Sequence, residues 1–282
     1  MSGSARGADV PANSPVPVAL TTGARVNPLA ALLIWRLREA GHRPVAVLST
    51  APAAGLARLA KARSMGWAAV QRRLARRGLP TGPRASGDAT APIDEYARQR
   101  GYPSPWQPLP AIAREAGVAV LRVGDLNGAA ASEAVRRRAV RVVVNAGGGL
   151  FRRGLLEAVP GGILNAHMGP LPRFRGMNAL EWSLLEGAPP TVSLHLVAAG
   201  IDTGDVIARE PIPRREGDGI AALRARYVAV AVELVAAHLG AVAAGTAARQ
   251  AQRRGDGRQY FAMHPRLAQV VEARLGGASA VG

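Results

Sequence analysis

The chain has 282 residues and a formal net charge of +17 at pH 7, with 48% hydrophobic and 20% charged residues. This composition is typical of a globular α/β protein and excludes a chain that is disordered throughout. Cysteine is absent, which excludes disulfide bonds, a thiolate zinc site and a catalytic thiol.

The positive charge comes almost entirely from one residue type. Of the 36 basic residues, 35 are arginine and one, Lys61, is lysine. Together with the abundance of alanine, glycine and proline, this indicates a GC-biased genome as much as a selected basic surface. A basic surface still has general affinity for anions, including nucleic acid. Because no stacking aromatic residues are interleaved with the arginine clusters, the sequence argues against a dedicated nucleic-acid-binding protein.

Two segments bear on export and on membrane contact. Residues 1–14 are rich in serine, glycine and alanine and lack the apolar core of a signal peptide, so they predict a disordered tail. The longest apolar stretch, Val228 to Ala244, contains Glu233 and His238. A charge at the centre of a spanning helix costs roughly 2.5 to 3.5 kcal/mol, so this stretch predicts a packed helix. We expect a cytoplasmic protein without membrane contact.

The first elements predict a β-α-β unit. Pro15 to Leu20 is a short apolar run, Pro28 to Ala40 has helical spacing, and His42 to Ser49 reads as a second strand. This order predicts a right-handed crossover and a parallel sheet. The phosphate-binding pattern G-x-G-x-x-G is missing from the first turn, which argues against a standard NAD domain.

The next two segments differ in composition. Residues 51–79 are rich in alanine and arginine and predict helix. Residues 80–110 are dense in glycine, proline, serine and aspartate and predict a long surface loop. Because loops of that length inside a domain are usually functional or mobile, this segment is a candidate lid or acceptor-specificity loop.

Regular alternation returns after residue 117. The pattern predicts strands at Val118–Val123, Val140–Asn145, Gly162–His167 and Thr191–Val197, and helices at Ala129–Arg138, Arg152–Val159 and Met177–Glu186. With Asp218 as its N-cap, a long helix runs to about Leu239. We therefore expect one α/β domain over residues 15–265, with a mostly parallel, Rossmann-like sheet and helices on both faces. A C-terminal helix and tail follow over 266–282, and the oligomeric state stays open.

Three polar side chains stand out by their positions. The two-residue period of a strand puts Asn165 and His167 on one face, at the carboxyl end and just before a loop rich in proline and glycine. Ligands bind at that edge in doubly wound sheets. Asp202 lies in a tight polar turn that follows another strand. An amide donor, an imidazole and a carboxylate at one crevice could stabilise an oxyanion and move protons.

Spacing alone leaves a structural interpretation open. Asn165 could cap a turn, His167 could be a buried histidine with its hydrogen bonds satisfied, and Asp202 could cap its own Asp-Thr-Gly turn.

A longer pattern favours the catalytic interpretation. The strings Asn165-Ala-His-Met-Gly-Pro-Leu-Pro-Arg-Phe-Arg-Gly176 and Gly200-Ile-Asp-Thr-Gly-Asp-Val-Ile207 resemble the folate-dependent formyltransferase family. That family includes the catalytic domain of methionyl-tRNA formyltransferase, glycinamide ribonucleotide formyltransferase and sugar N-formyltransferases. Its pattern is Asn-x-His, a Leu-Pro-x-x-Arg-Gly loop and an Asp-x-Gly-x-Asp-Thr-Gly turn. Two separated motifs that match in order are far more specific than either alone.

The resemblance implies transfer of a formyl group from N10-formyltetrahydrofolate to an amine. It implies that His167 stabilises the tetrahedral intermediate and shuttles protons, and that Asn165 donates to the developing oxyanion. Asp202 would hold His167 in the useful tautomer and raise its pKa. Chemistry agrees with these roles, because amine attack on a formamide-like carbonyl builds charge on oxygen and must release a proton.

The chain departs from the family pattern at two places. Many members have His-Pro-Ser-Leu-Leu-Pro where this chain has His167-Met-Gly-Pro-Leu-Pro172, so one serine hydroxyl contact is missing. The first aspartate of the later turn is replaced by Ala198. Neither change alters the three polar side chains.

The resemblance also implies where the formyl donor binds. It predicts cofactor-binding residues in the glycine-rich segment after a buried strand and in the two motifs: Asn145, Ala146, Gly147, Gly148, Gly149, Leu171 and Gly200. Consecutive glycines allow close approach of backbone to a pterin ring. The alternative is a flexible strand-to-helix turn.

Three further residues are predicted to contact substrate. Arg173 and Arg175 could bind the folate glutamate tail or an acidic substrate, although solvated loop arginines are the alternative. His195, on the polar face of its strand, could line the acceptor pocket or have a structural role. The five histidines show no metal-ligand spacing, so no metal is predicted.

The acceptor follows least directly from the sequence. Methionyl-tRNA formyltransferase carries an extra C-terminal β-barrel that contacts tRNA, and we expect this chain to lack one. That expectation favours a small-molecule amine such as an amino sugar or another metabolite. The alternatives are a formyltetrahydrofolate hydrolase, a methionyl-tRNA formyltransferase lacking the C-terminal domain, and a silent folate- or nucleotide-binding module. The intact Asn165, His167 and Asp202 argue against the silent module.

Overall fold

The computed structural model describes residues 14–50, 87–253 and 255–276. Three predictions therefore lie wholly or largely outside the described residues: the tail over 1–14, of which residue 14 alone is described, the helix over 51–79, and the tail after residue 276.

The predicted elements within the described residues are confirmed, with ends that shift by a few positions. In chain order the elements are β1 (Pro17–Thr22), α1 (Pro28–Glu39), β2 (Arg43–Ser49), α2 (Ala91–Gln99), α3 (Leu109–Glu115), β3 (Ala119–Arg122), α4 (Ala129–Arg137), β4 (Val142–Asn145), α5 (Arg153–Ala158), β5 (Ile163–His167), β6 (Phe174–Gly176), α6 (Ala179–Leu185), β7 (Thr191–Leu196), β8 (Val206–Pro211), α7 (Ile220–Ala244), β9 (Arg258–Tyr260) and α8 (Pro265–Leu275). The short strands β6, β8 and β9 were not predicted.

A seven-stranded sheet in the order β3-β2-β1-β4-β5-β7-β8 organises the fold. The first five strands in that order run parallel, whereas β7 and β8 are antiparallel to their neighbours. This confirms the mostly parallel sheet. Because β4 and β5 are parallel, their carboxyl ends meet at one edge, where Asn145 pairs in register with Asn165. On the other side of β5, Asn165 is paired with His195 of β7.

Helices cover both faces of the sheet, as predicted. On one face, α1, α2, α3 and α7 pack into a large apolar core with the strands. On the other, α4 and α5 enclose a second apolar cluster. A parallel sheet needs this double cover, because its strands are apolar on both sides.

The first helix is joined at its beginning to the carboxyl edge of the sheet. Pro28 occupies its first turn, and the Asn27 side chain accepts a hydrogen bond from the Ala30 N–H, which is typical N-terminal capping. The Asn27 amide nitrogen donates to the hydroxyl of Thr22 and to the carbonyl oxygen of Ala146. The cap thereby ties the end of β1 to the glycine-rich segment after β4.

The helix α7 is long and apolar enough to cross a membrane by length and composition, the one helix among the described residues of which this is true. Half of its most apolar window is buried within the protein, and it packs on α1, α2 and the sheet. Glu233, midway along it, forms ion pairs with Arg36 at 3.0 Å and Arg100 at 2.7 Å. These contacts fit the packed core helix that the sequence predicts.

The prediction of a continuous surface loop over residues 80–110 is wrong for the described part. Helix α2 and the beginning of α3 lie within it, and residues 80–86 are outside the described residues. Ile93 and Ala97, four residues apart, share one buried face of α2 that packs on α7. Pro92 and Pro110 stand in first turns, where proline is tolerated, so they begin helices here and do not interrupt them.

The N-cap predicted for α7 is also wrong. Gly219 is the N-cap, and Asp218 instead accepts from the Arg215 N–H and pairs with Arg226 at 2.9 Å. The first turn of α7 receives its acceptor from α8, where Glu272 Oε2 accepts from the Ile220 N–H at 3.0 Å. Glu272, 52 positions along the chain, thus replaces the side chain of a local N-cap.

This remote cap gives a stability prediction. Glu272→Ala leaves the Ile220 N–H without its acceptor, and we expect the free energy of unfolding to fall by about 0.5 to 2 kcal/mol, as for other lost helix caps. Glu272→Gln keeps an acceptor oxygen and should lose less. Urea denaturation followed by circular dichroism measures both. Equal stability of wild type and Glu272→Ala would show that the contact does not stabilise the helix.

Candidate active site

The three predicted polar side chains lie together at the carboxyl end of β5. Asn165 and His167 belong to β5, and Asp202 lies in the turn between β7 and β8. Asp202 Oδ2 is 3.4 Å from His167 Nδ1. The His167 side chain is buried and the Asp202 side chain largely so, which strengthens the interaction between them relative to a pair in water.

The Asp202 turn is held from two directions. Its backbone is left-handed, with φ of +50°, a conformation that aspartate tolerates better than most residues. The Gly176 N–H of β6 donates to Oδ2 at 2.8 Å. The Gln252 side-chain nitrogen donates to the carbonyl oxygens of Asp202 and Gly204, at 3.0 and 2.6 Å. Sequence reasoning missed Gln252, and no local signal marks it.

Two opposing effects set the charge on Asp202. Burial alone would raise the pKa of its carboxyl, but the neighbouring imidazoles of His195 and His167 and the Gly176 N–H outweigh it, so the pKa lies below its usual value. The carboxylate is therefore ionised at neutral pH.

The pKa of His167 is lowered overall, although Asp202 raises it as the resemblance implies. Burial lowers the pKa of the imidazole more than the Asp202 carboxylate and the Phe174 carbonyl raise it. The carboxylate acts as expected, but desolvation of the charged ring is the larger effect. His167 is therefore neutral at pH 7.

Hydrogen bonding defines the tautomer of this neutral ring. His167 Nε2 donates to the Phe174 carbonyl oxygen at 2.7 Å, since a carbonyl oxygen only accepts. The lone pair is then on Nδ1, which faces Asp202. A second proton on Nδ1 would be stabilised directly by the carboxylate, so the pair is arranged to accept a proton.

His195 is buried beside Asn165 and Asp202, which fits the structural role that the sequence left open as the alternative to lining an acceptor pocket. The residue is 1% exposed, because β7 runs between β5 and β8 and is covered on both faces. Its Nδ1 donates to the Leu196 carbonyl oxygen at 2.8 Å. Its Nε2 is 3.0 Å from Asn165 Nδ2 and 3.5 Å from Asp202 Oδ1. It contacts two of the three predicted side chains.

The glycine-rich segment after β4 is a closely packed turn. Asn145 Oδ1 accepts from the N–H groups of Gly147 and Gly148, at 3.1 and 2.8 Å. A Cβ on Gly148 would lie 2.5 Å from the hydroxyl oxygen of Thr21, so this position requires glycine. Ala146 is buried, whereas Gly147 and Gly149 have positive φ and are exposed. The segment therefore presents backbone at the site edge.

Two of the predicted donor-binding residues differ in exposure. Leu171 is 2% exposed, and its N–H donates to the Ser193 hydroxyl at 3.0 Å, so its side chain packs in the interior. Gly200 is exposed, and a Cβ there would lie 2.5 Å from the Thr203 hydroxyl oxygen.

The two arginines predicted to contact substrate also differ in exposure and in their partners. Arg173 is exposed, pairs with Glu186 at 2.9 Å and stacks over the Phe174 ring. Arg175 is buried and donates to the Gln252 side-chain oxygen and to the Arg253 carbonyl oxygen. Because these acceptors occupy its guanidinium, Arg175 joins β6 to the segment that holds the Asp202 turn, and it is not the solvated loop arginine considered from the sequence.

The ionisable groups of the site are not arranged as the ligands of a metal ion. Within residues 14–50, 87–253 and 255–276, no cluster of three or more His, Asp or Glu side chains could hold a metal ion. The arrangement offers one amide donor, one neutral imidazole and one carboxylate, which suits proton transfer and oxyanion stabilisation.

Comparison with known proteins shows the family. Residues 95–239, about half of the chain, match the model of the formyl transferase family, and the match includes Asn165, His167 and Asp202. The chain belongs to the formyltransferase family.

Individual relatives match parts of the chain or its fold. Methionyl-tRNA formyltransferase of Pelobacter propionicus is 30% identical over 155 residues, which is 54% of this chain and 49% of that protein. The chain thus spans about half the length of such curated relatives. The fold is similar to glycinamide ribonucleotide transformylase 1 from Symbiobacterium toebii, with a TM-score of 0.53, 20% identity and coverage of 86% of this chain and 92% of that one.

A second solved structure has the same fold. The N-formyltransferase from Helicobacter canadensis, in complex with folinic acid and dTDP-3-aminofucose, has a TM-score of 0.54 at 14% identity. The similarity covers 87% of this chain and 70% of that chain. Together with the sheet order, these similarities confirm the α/β fold expected from the sequence.

The opposing effects on His167 lead to a prediction. We expect its pKa to lie below 6.5 in the wild type and lower still in Asp202→Asn, because that change removes the negative charge that favours the protonated ring. NMR titration of the imidazole resonances, assigned with His167→Gln, measures both values.

Asp205→Asn is the matched control, since it removes one carboxylate from the same turn without removing a described contact to His167. It should shift the pKa of His167 less than Asp202→Asn does. A wild-type value above 6.5, or equal shifts in the two variants, would contradict the assigned balance of burial and charge.

Proposed function

We propose that this protein transfers a formyl group from N10-formyltetrahydrofolate to a primary amine of a small-molecule acceptor. The observation that carries the proposal is the arrangement at the carboxyl end of β5, in a chain of the formyltransferase family. His167 lies against Asp202, and His195 links Asp202 to Asn165.

The reaction consists of three changes in bonding. The amine nitrogen forms a bond to the formyl carbon, the bond from that carbon to N10 of the folate breaks, and one proton moves from the amine to N10. Negative charge develops on the formyl oxygen during attack. The site must therefore donate a hydrogen bond to that oxygen and accept and return a proton.

The Asn165 amide can donate the hydrogen bond that the formyl oxygen needs. One N–H of its amide is directed to His195 Nε2, and among the described residues the other has no assigned partner. A neutral N–H donor already oriented by the protein stabilises developing charge without reorganising, which is where such donors are most effective.

The His167 imidazole can accept the amine proton and return it. It is neutral at pH 7, because burial lowers its pKa, and it faces the ionised Asp202 through Nδ1. The protonated ring would be stabilised by the carboxylate during transfer. To accept the amine proton through Nε2, the ring would give up its bond to the Phe174 carbonyl and carry its own proton on Nδ1, where Asp202 would accept it.

The glycine-rich segment fits a planar formyl donor. Gly149 has positive φ and open space around its Cα, and the next side chain, Leu150, is 64% exposed. Exposed backbone groups can pair with the edge of a pterin ring, and an apolar side chain can cover its face. The folinic acid in the Helicobacter canadensis complex supports a folate-type donor for this fold.

The choice of acceptor rests on the relatives of the chain. The solved relatives include a glycinamide ribonucleotide transformylase and a dTDP-3-aminofucose complex, whose acceptors are small amines. A second candidate is methionyl-tRNA, favoured by the names of the curated relatives and by the net charge of +17. Hydrolysis of the donor, with water in place of the amine, is the third.

The roles of the three side chains are tested by kinetics. We expect Asn165→Ala and Asp202→Ala to lower kcat by about 10²- to 10³-fold, the usual cost of losing one oxyanion donor or a group of similar importance. Binding of a stable 10-formyl folate analogue should survive, because neither side chain is assigned to the donor. Thermal-shift titration measures it, since ligand at 100 times Kd stabilises the native state by about 2.7 kcal/mol.

Near-wild-type turnover by Asp202→Ala would contradict the assignment. Absence of any saturable shift in the wild type would contradict the folate donor itself.

The acceptor is tested with a panel. We expect the wild type to formylate a small primary amine, and Asn165→Ala to do so about 10²- to 10³-fold more slowly, as measured by mass spectrometry of the product. The same donor is offered with methionyl-tRNA and with no amine. Transfer to tRNA that falls steeply with salt would indicate the nucleic-acid acceptor. Formate release without amine would indicate a hydrolase. Donor binding without turnover across the panel would indicate a silent folate- or nucleotide-binding module.

A further inference from the structure

We propose that Asn145 is a positioning residue whose side-chain amide fixes the direction of the Asn165 amide. The two residues are register partners on the adjacent strands β4 and β5, and Asn145 Nδ2 lies 3.0 Å from Asn165 Oδ1. The consequence for turnover rests on the proposed formyl transfer, whereas the geometry stands on these contacts alone.

Backbone donors fix the direction of the Asn145 amide. The N–H groups of Gly147 and Gly148 only donate, so the Asn145 atom that both reach, at 3.1 and 2.8 Å, must be oxygen. The Thr21 hydroxyl donates to the same oxygen at 3.1 Å. Because Gly148 has no room for a side chain, the turn that supplies these donors is closely defined. The nitrogen of Asn145 therefore faces β5.

The direction passes from Asn145 to Asn165. An N–H2 group requires an acceptor, so the Asn165 atom that faces Asn145 must be Oδ1. The amide nitrogen of Asn165 then points to the other side, 3.0 Å from His195 Nε2.

His195 completes the chain of donors and acceptors. Its Nε2 must carry a lone pair to accept from Asn165, and its proton is on Nδ1, which donates to the Leu196 carbonyl oxygen at 2.8 Å. Asp202 Oδ1 is farther from Nε2, at 3.5 Å. Four successive bonds thus run in one direction, from the Gly148 N–H to the Leu196 carbonyl.

The direction matters for the chemistry assigned to Asn165. In the observed orientation its amide presents a second N–H, the group that a developing oxyanion needs. Turned over, the amide would oppose its N–H2 group to that of Asn145 and direct its oxygen toward His195. Asn145 therefore acts through Asn165, and the donor-binding role predicted for Asn145 from the sequence is replaced by this one.

The test is Asn145→Asp, which keeps the shape and the oxygen that accepts from Gly147 and Gly148. Its second oxygen replaces the N–H that faces Asn165, so the Asn165 amide should turn over and its oxygen should face His195 Nε2. In ¹⁵N NMR of the imidazole rings we expect the His195 proton on Nδ1 in the wild type and on Nε2 in the variant.

Kinetics supply a second readout. We expect Asn145→Asp to lower kcat by about 10²-fold, as for loss of one oriented oxyanion donor, while the affinity for a 10-formyl folate analogue stays at the wild-type value. Thr21→Val is the matched control, because it removes a hydroxyl from the same oxygen of Asn145 but leaves both glycine donors and the amide. It should keep the wild-type His195 tautomer and kcat.

Three results would overturn the proposal: a wild-type His195 with its proton on Nε2, an unchanged tautomer in Asn145→Asp, or a variant that loses affinity for the folate analogue with normal kcat. The last would mean that Asn145 contacts the donor. The tautomer requires no turnover, so a wild type that shows the expected tautomer and its switch but formylates no amine contradicts the proposed function and leaves the positioning role intact.

Discussion

The ionised carboxylate of Asp202, held in a largely buried turn, is the interaction on which the site depends. An unpaired buried charge is strongly unfavourable, and such a carboxylate persists only where donors surround it. Here the Gly176 N–H of β6 donates to Oδ2, and the imidazole rings on β5 and β7 lie within 3.5 Å of the two carboxylate oxygens, where a protonated ring would donate. Satisfying this one charge brings together the strand ends and the loop between them.

The two histidines near Asp202 have different roles because their other nitrogens have different partners. In the neutral forms, His195 has its proton on Nδ1 and His167 has its proton on Nε2, and each proton faces a carbonyl oxygen. In this tautomer, His195 Nε2 accepts from Asn165. His167 instead has its lone pair on Nδ1, facing the carboxylate, which would stabilise a second proton there. One ring orients a donor and the other can exchange a proton.

The sequence predicts what depends on local pattern. Helix α1 is predicted by its helical apolar spacing, and the structure adds that its N-cap, Asn27, and its first residue, Pro28, are local to the same segment. The side-chain alternation of β5 places Asn165 and His167 on one face, and this follows from two residues alone. These signals need no knowledge of what packs against the element.

The sequence misses what depends on the partner. The sequence leaves His195 either lining a pocket or in a structural role, and only the register of β5 with β7 sets it beside Asn165. Gln252 supports the Asp202 turn from 50 residues away, and Glu272 caps α7 from α8. The helix α2 was missed for a different reason, because composition counts Pro92 as a breaker without regard to its place in the first turn. Long-range pairing and position within an element decide these cases.

Part of the basic charge is used in contacts within the protein. Many arginines here donate to acceptors of the protein itself: Arg36 to Glu233, Arg209 to the Leu171 carbonyl oxygen and Arg224 to the buried Glu181. A guanidinium that neutralises a carboxylate or completes a loop is less available to displace a counterion from phosphate. The formal charge of +17 treats all these groups as equivalent surface cations. Because part of that charge holds the fold together, it is weaker support for a nucleic-acid acceptor than the residue count suggests.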